Sequence, residues 1–161
     1  MPRKRSLTGA AAGKKSVNIA RTWGKLMVND LVLVDSAPLI YLLDEHIKFA
    51  SLFEGLFMAY EEGQLRIAIS TIAMAEVLTG PFKNGQDVLA KRYEKALSTF
   101  EVIPVTQDIA VSASRLRISC KLKLMDALQA ATALEIGAHA LVTHDRDFSR
   151  FSGLPVLYGG E

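Results

Sequence analysis

Two patterns of apolar residues alternate along the chain from Leu31 onward. Continuous apolar runs typical of buried strands occur at LVLVD (31–35), LRIAIS (65–70), EVIPV (101–105) and ALVT (140–143), with a weaker run at LPVLY (154–158). Between and before them, apolar positions recur at helical spacing over 47–62, 71–80, 86–100, 108–120 and 126–137. Strands that alternate with helices predict βαβ units, and therefore a parallel sheet with helices on both faces.

Residues that favour helix ends support these boundaries. Ser36 and Pro38 suit the cap and first turn of a helix after the first strand, and Thr106 suits the cap of the helix over 108–120. Gly80-Pro81 is predicted to end the helix that begins at Thr71, and Gly137 to end the helix over 126–137.

Composition indicates one intracellular domain. The chain has 161 residues, of which 50% are hydrophobic, enough for a single core. Cys120 is the only cysteine, which excludes an internal disulfide and gives no zinc or redox signature. The longest apolar stretch, LVLVDSAPLIYLL, is too short to cross a membrane, and the N-terminus lacks the apolar core of a signal peptide. We therefore expect a cytoplasmic protein.

The net charge of +2 conceals a strong asymmetry. Residues 1–29 hold seven Lys or Arg and no acid, which leaves twelve bases against seventeen acids in the rest. This Gly-, Ala-, Ser- and Lys-rich stretch has no sustained period, so we expect a basic, flexible extension over 1–29 ahead of a domain over 30–161. Two interpretations stay open: a solvated tail, including a vector-derived stretch or a mis-assigned start ahead of Met27, or an arm that binds nucleic acid.

Four acids are expected at one edge of the predicted sheet. Asp35 and Asp145 follow strands, and ligands of open parallel sheets bind outside the carboxyl ends of the strands. Glu76 and Asp126 lie early in helices that can lean over the same edge. Two unit charges about 4 Å apart repel by roughly 4 kcal/mol at an effective dielectric of 20, so such a cluster needs protons, bases or a cation. Oxygen ligands without a cysteine cluster favour Mg²⁺ or Mn²⁺.

Each acid also has a simpler explanation. An Asp after a strand often caps the next helix, and a Glu in the first turns of a helix often faces solvent. Glu76, however, lies within the apolar stretch IAMAEVL, where a solvent-exposed helix face is less expected. Asp147 is either a turn residue before Phe148 or an outer, optional ligand.

The order of the acidic segments carries a family resemblance. LVLVDSAPLIYLL, AEVLTG, LMDALQAATAL and LVTHDRDF follow one another along residues 31–157 in the order found in PIN-domain ribonucleases. The segments resemble in particular the VapC-type toxins of prokaryotic toxin–antitoxin pairs.

This resemblance implies a fold, a site and partners. It implies a three-layer α/β/α sandwich around a mostly parallel sheet, and an endoribonuclease that depends on Mg²⁺ or Mn²⁺ and cuts single-stranded or looped RNA. It assigns metal binding and catalysis to Asp35, Glu76, Asp126 and Asp145, and Asp147 matches a further acid of some members. It also implies a small antitoxin and, as a further expectation, a homodimer. His144 departs from the Asn of many relatives, and the basic extension departs from compact members.

Other residues are candidates for supporting roles. Ser36 and Thr143 adjoin the strand-end acids and are positioned to orient ligands or water, although helix capping explains them equally well. His144 is expected beside the ligands or against the substrate. Because the pocket is negative, bases around it must hold the RNA backbone, and the candidates are Arg115, Arg117, Lys121, Lys123, Arg146 and Arg150. The apolar helix face IKFASLFEGLFMAY is a core, homodimer or antitoxin contact.

Two rival functions remain at this point. The first is a PIN-like protein that only binds RNA or a partner, against which the complete set of four acids argues. The second is another Mg²⁺-dependent α/β enzyme, such as a phosphatase or receiver-type phosphotransferase. That chemistry needs a DxD-like first strand or a lysine at a later strand end, whereas this chain has DSA and the Lys-free EVIPV.

Overall fold

A computed structural model describes residues 23–24 and 26–159, so most of the predicted basic extension lies outside the described residues. The strands are β1 (Leu31–Val34), β2 (Arg66–Ser70), β3 (Glu101–Ile103), β4 (Ala140–Thr143) and β5 (Val156–Tyr158). The helices are α1 (Ser36–Leu43), α2 (Ala50–Glu61), α3 (Thr71–Lys83), α4 (Asp87–Leu97), α5 (Gln107–Ser119) and α6 (Leu124–Glu135), with a 3₁₀ helix over Arg146–Arg150. All five predicted strands are present.

The five strands form one parallel sheet in the order β3-β2-β1-β4-β5. The first strand of the sequence is therefore central, with β2 and β4 on its two sides. All carboxyl ends lie at the same edge, so the residues that follow β1, β2 and β4 are neighbours in space.

Helices cover both faces of the sheet, as the alternation of strands and helices predicts. Val32 and Val34 point into a core formed with α1, α2, α3 and α4. Leu31 and Leu33 point to the opposite face and pack against α5 and α6. The alternation of side chains along a strand explains this division, and a strand buried on both faces needs the continuous apolar run that the sequence shows.

The predicted end of α3 is wrong. The helix continues through Gly80-Pro81 to Lys83, and the backbone amide of Asn84 closes it on the carbonyls of Gly80 and Pro81. Pro81 lies in the last turn, where its missing N–H removes one intrahelical hydrogen bond, and its ring is buried.

The start of α2 also differs from the prediction at Ile47. The side chain of His46 accepts hydrogen bonds from the backbone N–H groups of Lys48 and Phe49, both at 3.2 Å. These bonds stabilise a turn, so the helix begins only at Ala50.

Two residues of the predicted extension pack with the domain. Trp23 and Leu26 are buried, and the Trp23 ring stacks on Phe53 with a centroid distance of 6.2 Å. Within residues 23–24 and 26–159, no helix is both long enough and apolar enough to cross a membrane.

Candidate metal centre

Asp35 lies at the centre of the carboxyl edge of the sheet, where it caps α1. It is 7% exposed, and its carboxylate accepts three hydrogen bonds. Oδ1 accepts from the backbone N–H of Ser36 at 2.8 Å and from Nε2 of Gln129 at 2.9 Å, and Oδ2 accepts from Oγ1 of Thr143 at 2.8 Å. These donors come from three parts of the chain and hold the carboxylate in one orientation.

Gln129 extends this hydrogen bonding to the end of β2. Its Oε1 accepts from the hydroxyl of Ser70, and Ser70 Oγ in turn accepts from the backbone N–H of Ala73 at 3.0 Å as the N-cap of α3. Ser70, Gln129 and Thr143 are all at most 1% exposed. A buried polar chain therefore connects the residue that follows β1 with the last residues of β2 and β4.

Three other acids form a tight group beside Asp35. Asp126, Asp145 and Asp147 each offer a carboxylate oxygen, and these oxygens lie within 4.8 Å of one another. Asp126 lies in the first turn of α6, because that helix begins at Leu124. Asp145 follows β4, and Asp147 lies in the 3₁₀ helix.

The charges in this group repel one another. Burial and the negative charges of Asp145, Asp35 and Asp147 raise the pKa of Asp126 to about 6. Lys123 acts in the opposite direction and lowers that pKa. Thr143 connects Asp35 to this group, because its Oγ1 donates to Oδ2 of Asp35 and accepts from the backbone N–H of Asp145.

Glu76 lies outside the group of three acids. It is half-buried on α3, which packs against α6, but it is not part of the group formed by Asp126, Asp145 and Asp147 within the described chain. Asp147, expected as an outer or optional ligand, is part of that group. The structure therefore brings together three of the predicted acids, with Asp35 adjacent and Glu76 further along α3.

The first carboxylate of LVTHDRDF, that of Asp145, also stabilises the local chain. Asp145 is the N-cap of the 3₁₀ helix, and its Oδ1 accepts from the backbone N–H of Asp147 at 2.8 Å. The N–H of Asp145 donates to Oγ1 of Thr143 at 3.0 Å. Capping and clustering are thus compatible, because the second oxygen of Asp145 stays available to a ligand.

A basic groove borders the acidic group. Nζ of Lys123 is 2.9 Å from Oδ2 of Asp147, and the hydrogen bond and charge of Asp147 raise the pKa of Lys123. Both side chains are more than half exposed, so solvent screens this pair and it is easily rearranged. The groove is lined by four of the predicted RNA contacts: Lys121, Lys123, Arg146 and Arg150.

The other predicted RNA contacts lie on α5. Arg117 and Lys121 line a second, neighbouring groove. Arg115 is exposed on the same helix, outside the residues that line these two grooves. The guanidinium of Arg146 lies 4.1 Å from the centre of the Tyr158 ring, which orients it by a cation–π contact.

The ring of His144 packs in an aromatic group. Its Nδ1 is 3.0 Å from the hydroxyl of Tyr41, and it makes edge contacts with Tyr41, Phe49 and Phe53. Ser36 acts on Asp35 through its backbone N–H. Thr143 acts through its hydroxyl, as expected for a residue that orients a carboxylate.

The donor set fits a hard divalent cation. The group offers only carboxylate oxygens, and burial together with the charges of Asp145, Asp35 and Asp147 raises the pKa of Asp126, an effect that a bound cation would oppose. Oxygen ligands in a partly exposed cluster suit Mg²⁺ or Mn²⁺, which keep several waters when bound.

Gln129 and Ser70 are absent from the residues singled out in the sequence. One signal was available for Gln129: it is a polar residue in the apolar stretch DALQAATAL, three positions after Asp126 and so on the same helix face. For Ser70, the signal is its place at the end of a strand, equivalent to Thr143 at the end of β4.

Comparisons with known proteins agree with this architecture. The family model described as PIN domain matches residues 32–154. A chain of a toxin–antitoxin complex from Klebsiella pneumoniae is 35% identical, with a TM-score of 0.62, and the match covers 78% of this chain and 95% of that one. VapBC2 from Rickettsia felis, bound to a DNA fragment from its promoter, matches at 22% identity with a TM-score of 0.65. The match covers 80% of this chain and 98% of that one.

VapC20 from Mycobacterium tuberculosis, a toxin that cleaves the sarcin–ricin loop, matches at 18% identity and a TM-score of 0.60, covering 73% of this chain and 92% of its own. The last two likenesses show a shared fold. A search of curated protein sequences found no match.

The matched region contains β2, β3 and β4, all of β1 except Leu31, and all five acids, whereas β5 lies just beyond it. The resemblance to PIN domains of toxin–antitoxin systems, indicated by four sequence segments, is confirmed. PIN nucleases use a divalent metal, and the acidic group at the carboxyl edge suits one. The chain belongs to the PIN-domain family of nucleases.

Proposed function

We propose that this protein is an endoribonuclease that uses Mg²⁺ or Mn²⁺ to hydrolyse phosphodiester bonds in single-stranded or looped RNA. The observation that carries the proposal is the group of Asp126, Asp145 and Asp147, whose carboxylate oxygens lie within 4.8 Å of one another beside Asp35. The family membership and the basic groove next to the group support it.

The acids hold the cation in this proposal. Asp126, Asp145 and Asp35 are the principal ligands, Asp147 is an additional one, and Glu76 on α3 is the remaining candidate ligand. A bound divalent cation lowers the pKa of a water molecule and neutralises charge that develops on the phosphate. Thr143, through its hydrogen bond to Oδ2, keeps the Asp35 carboxylate aligned.

The bases around the groove hold the substrate. Lys121, Lys123, Arg146 and Arg150 line a surface beside Asp147 that can contact successive phosphates. Arg117 and Arg115 extend this surface along α5. A single strand or loop can enter an open edge of this kind, whereas a duplex keeps its backbone at a fixed spacing.

The protein is, in our proposal, the cytoplasmic toxin of a type II toxin–antitoxin pair. The support is the 35% identity to a chain of the Klebsiella pneumoniae toxin–antitoxin complex. The partner is a small antitoxin that presents an Arg or Lys to the acids and so replaces the metal charge. We further propose a homodimer, and a basic extension over 1–29 that adds RNA contacts to the domain over 30–161.

A housekeeping RNA-processing nuclease is the alternative within the same chemistry. It has the same acidic group but no antitoxin and no effect on growth. The other alternative is a PIN-like protein that binds RNA without cleaving it. Such a protein has no need of a metal site, so acids that repel one another at this edge argue against it.

The test is single-turnover cleavage of an end-labelled RNA hairpin over a series of Mn²⁺ and Mg²⁺ concentrations. We expect cleavage by the wild type with either ion, none in EDTA, and none by Asp145→Asn, which removes a ligand charge at nearly constant shape. Asp108→Asn is the matched control, because Asp108 is an exposed acid in the first turn of α5. Undiminished cleavage in EDTA, or by Asp145→Asn, would contradict the proposal.

A further inference from the structure

We propose that Gln129 is a positioning residue whose side-chain amide fixes the Asp35 carboxylate in the orientation that cation binding requires, and links it to the first turn of α3. This inference rests on the metal-dependent function proposed above. Its basis is the buried chain from Ala73 through Ser70 and Gln129 to Asp35.

The hydrogen bonds allow only one orientation of the Gln129 amide. Ser70 Oγ accepts from the N–H of Ala73, and its single proton donates to Gln129 Oε1. The Nε2 group then faces Asp35 Oδ1 at 2.9 Å. The reversed amide would set its oxygen against the Asp35 carboxylate, with two acceptors in contact, so the donor and acceptor assignment follows from the network itself.

Burial makes this bond difficult to replace. Gln129 is 1% exposed and Ser70 is 0% exposed, which leaves no route for solvent to take over either contact. Without the amide, Oδ1 of Asp35 keeps only the N–H of Ser36, and the Ser70 hydroxyl loses its acceptor. The carboxylate then keeps two of its three hydrogen bonds, those from Ser36 and Thr143, and its orientation is held less strictly. Loss of a group that orients a ligand typically weakens metal affinity about 10- to 100-fold.

The same chain joins two elements that carry acids. Ser70 caps α3, the helix that carries Glu76, and Gln129 belongs to α6, the helix that carries Asp126. Ser70 therefore acts on Asp35 through Gln129, so the effects of removing the two residues should not add.

The experiment measures Mn²⁺ affinity of the full chain by electron paramagnetic resonance, without RNA. Gln129→Met keeps the length and approximate volume of the side chain while removing both polar groups. Thr132→Val is the matched control, because Thr132 is buried on the same helix and its hydroxyl bonds only locally, to the carbonyl of Leu128. We expect about 10-fold or greater weakening for Gln129→Met and less than about 2-fold for Thr132→Val.

Two further variants make the result specific. Gln129→Asn retains an amide that is too short to span both partners, and it serves as the test if Gln129→Met does not fold, as judged by near-UV circular dichroism. Ser70→Ala should weaken Mn²⁺ binding less than Gln129→Met does. The double variant Ser70→Ala with Gln129→Met should bind as Gln129→Met alone does.

The outcomes separate this inference from the proposed function. If the wild type binds Mn²⁺ and the folded Gln129 variants bind within about 2-fold of it, or no more weakly than Thr132→Val, the positioning role is overturned while the metal site stands. Additive losses for Ser70 and Gln129 would overturn the link to α3. No Mn²⁺ binding by the wild type would overturn the proposed metal-dependent function and this inference with it.

Discussion

Asp126→Asn is expected to stabilise the metal-free protein at neutral pH. The pKa of Asp126 is raised from its ordinary value of 3.8 to about 6 by burial and by the charges of Asp145, Asp35 and Asp147. At 1.36 kcal/mol per pKa unit, this difference corresponds to about 3 kcal/mol. Because the side chain is partly exposed and solvent screens the charges, we expect about 1–2 kcal/mol.

The sign of the pH dependence follows from the raised pKa. Between about 3.8 and 6, the folded state binds the Asp126 proton more tightly than the unfolded state does, so the free energy of unfolding falls as pH rises through this window. Above pH 6 the ionised Asp126 destabilises the folded state to its full extent, and below pH 3.8 this destabilisation is absent. The advantage of Asp126→Asn should therefore be greatest above about pH 7 and disappear near pH 4.

Urea unfolding in EDTA, at about pH 7.5 and pH 4.5, measures this effect. Asp108→Asn is the control, since Asp108 also lies in the first turn of a helix but outside the acidic group. Asp108→Asn loses a favourable interaction with the helix dipole, which should lower the free energy of unfolding by about 0.3–1 kcal/mol. Equal or lower stability of Asp126→Asn at pH 7.5, relative to the wild type, would refute the claim that the acids repel one another in the folded protein.

Three further predictions concern activity, RNA binding and growth. Asp35→Asn should lower the RNA cleavage rate by more than about 100-fold and Asp147→Asn by about 10-fold, because the first removes a central ligand and the second an additional one; equal rates for wild type and Asp35→Asn would contradict this. Deletion of residues 1–22, which spares the buried Trp23 and Leu26, should flatten the salt dependence of RNA binding by up to about 0.7 in log–log slope per lost phosphate contact; an unchanged slope in filter binding would indicate a solvated tail. Wild-type protein expressed alone should reduce colony counts, and co-expression of the gene immediately upstream, as the candidate antitoxin gene, should restore them; harmless expression of a soluble, RNA-cleaving wild type would leave the housekeeping alternative.

The sheet was predictable because its signal is strong. Strands buried on both faces need uninterrupted apolar runs, and β1 and β4 occur where LVLV and ALVT stand. The position of Asp35 at the carboxyl edge followed from the same reasoning. The predicted helix ends were less accurate where a side chain bonds the backbone or a proline ring is buried. His46 does the first before α2, and Pro81 does the second in α3.

The arrangement of the site was only partly predictable. The edge of the sheet determines which acids can meet, but distances depend on where each helix begins. Asp126 reaches the cluster because α6 starts at Leu124, and Asp147 joins it because the chain after β4 forms a 3₁₀ helix. Neither Gln129 nor Ser70 carries a charge, so their contact depends on the packing of α6 against the sheet, which a single sequence does not specify.

Anomalous diffraction from crystals soaked in Mn²⁺ would test the central claim most directly, because it locates the cation without reference to activity. The account predicts an anomalous peak coordinated by carboxylate oxygens of Asp126 and Asp145, within reach of Asp35, and its loss in Asp145→Asn crystals. A peak at other residues, or none at this edge in crystals of protein that cleaves RNA with Mn²⁺, would contradict it.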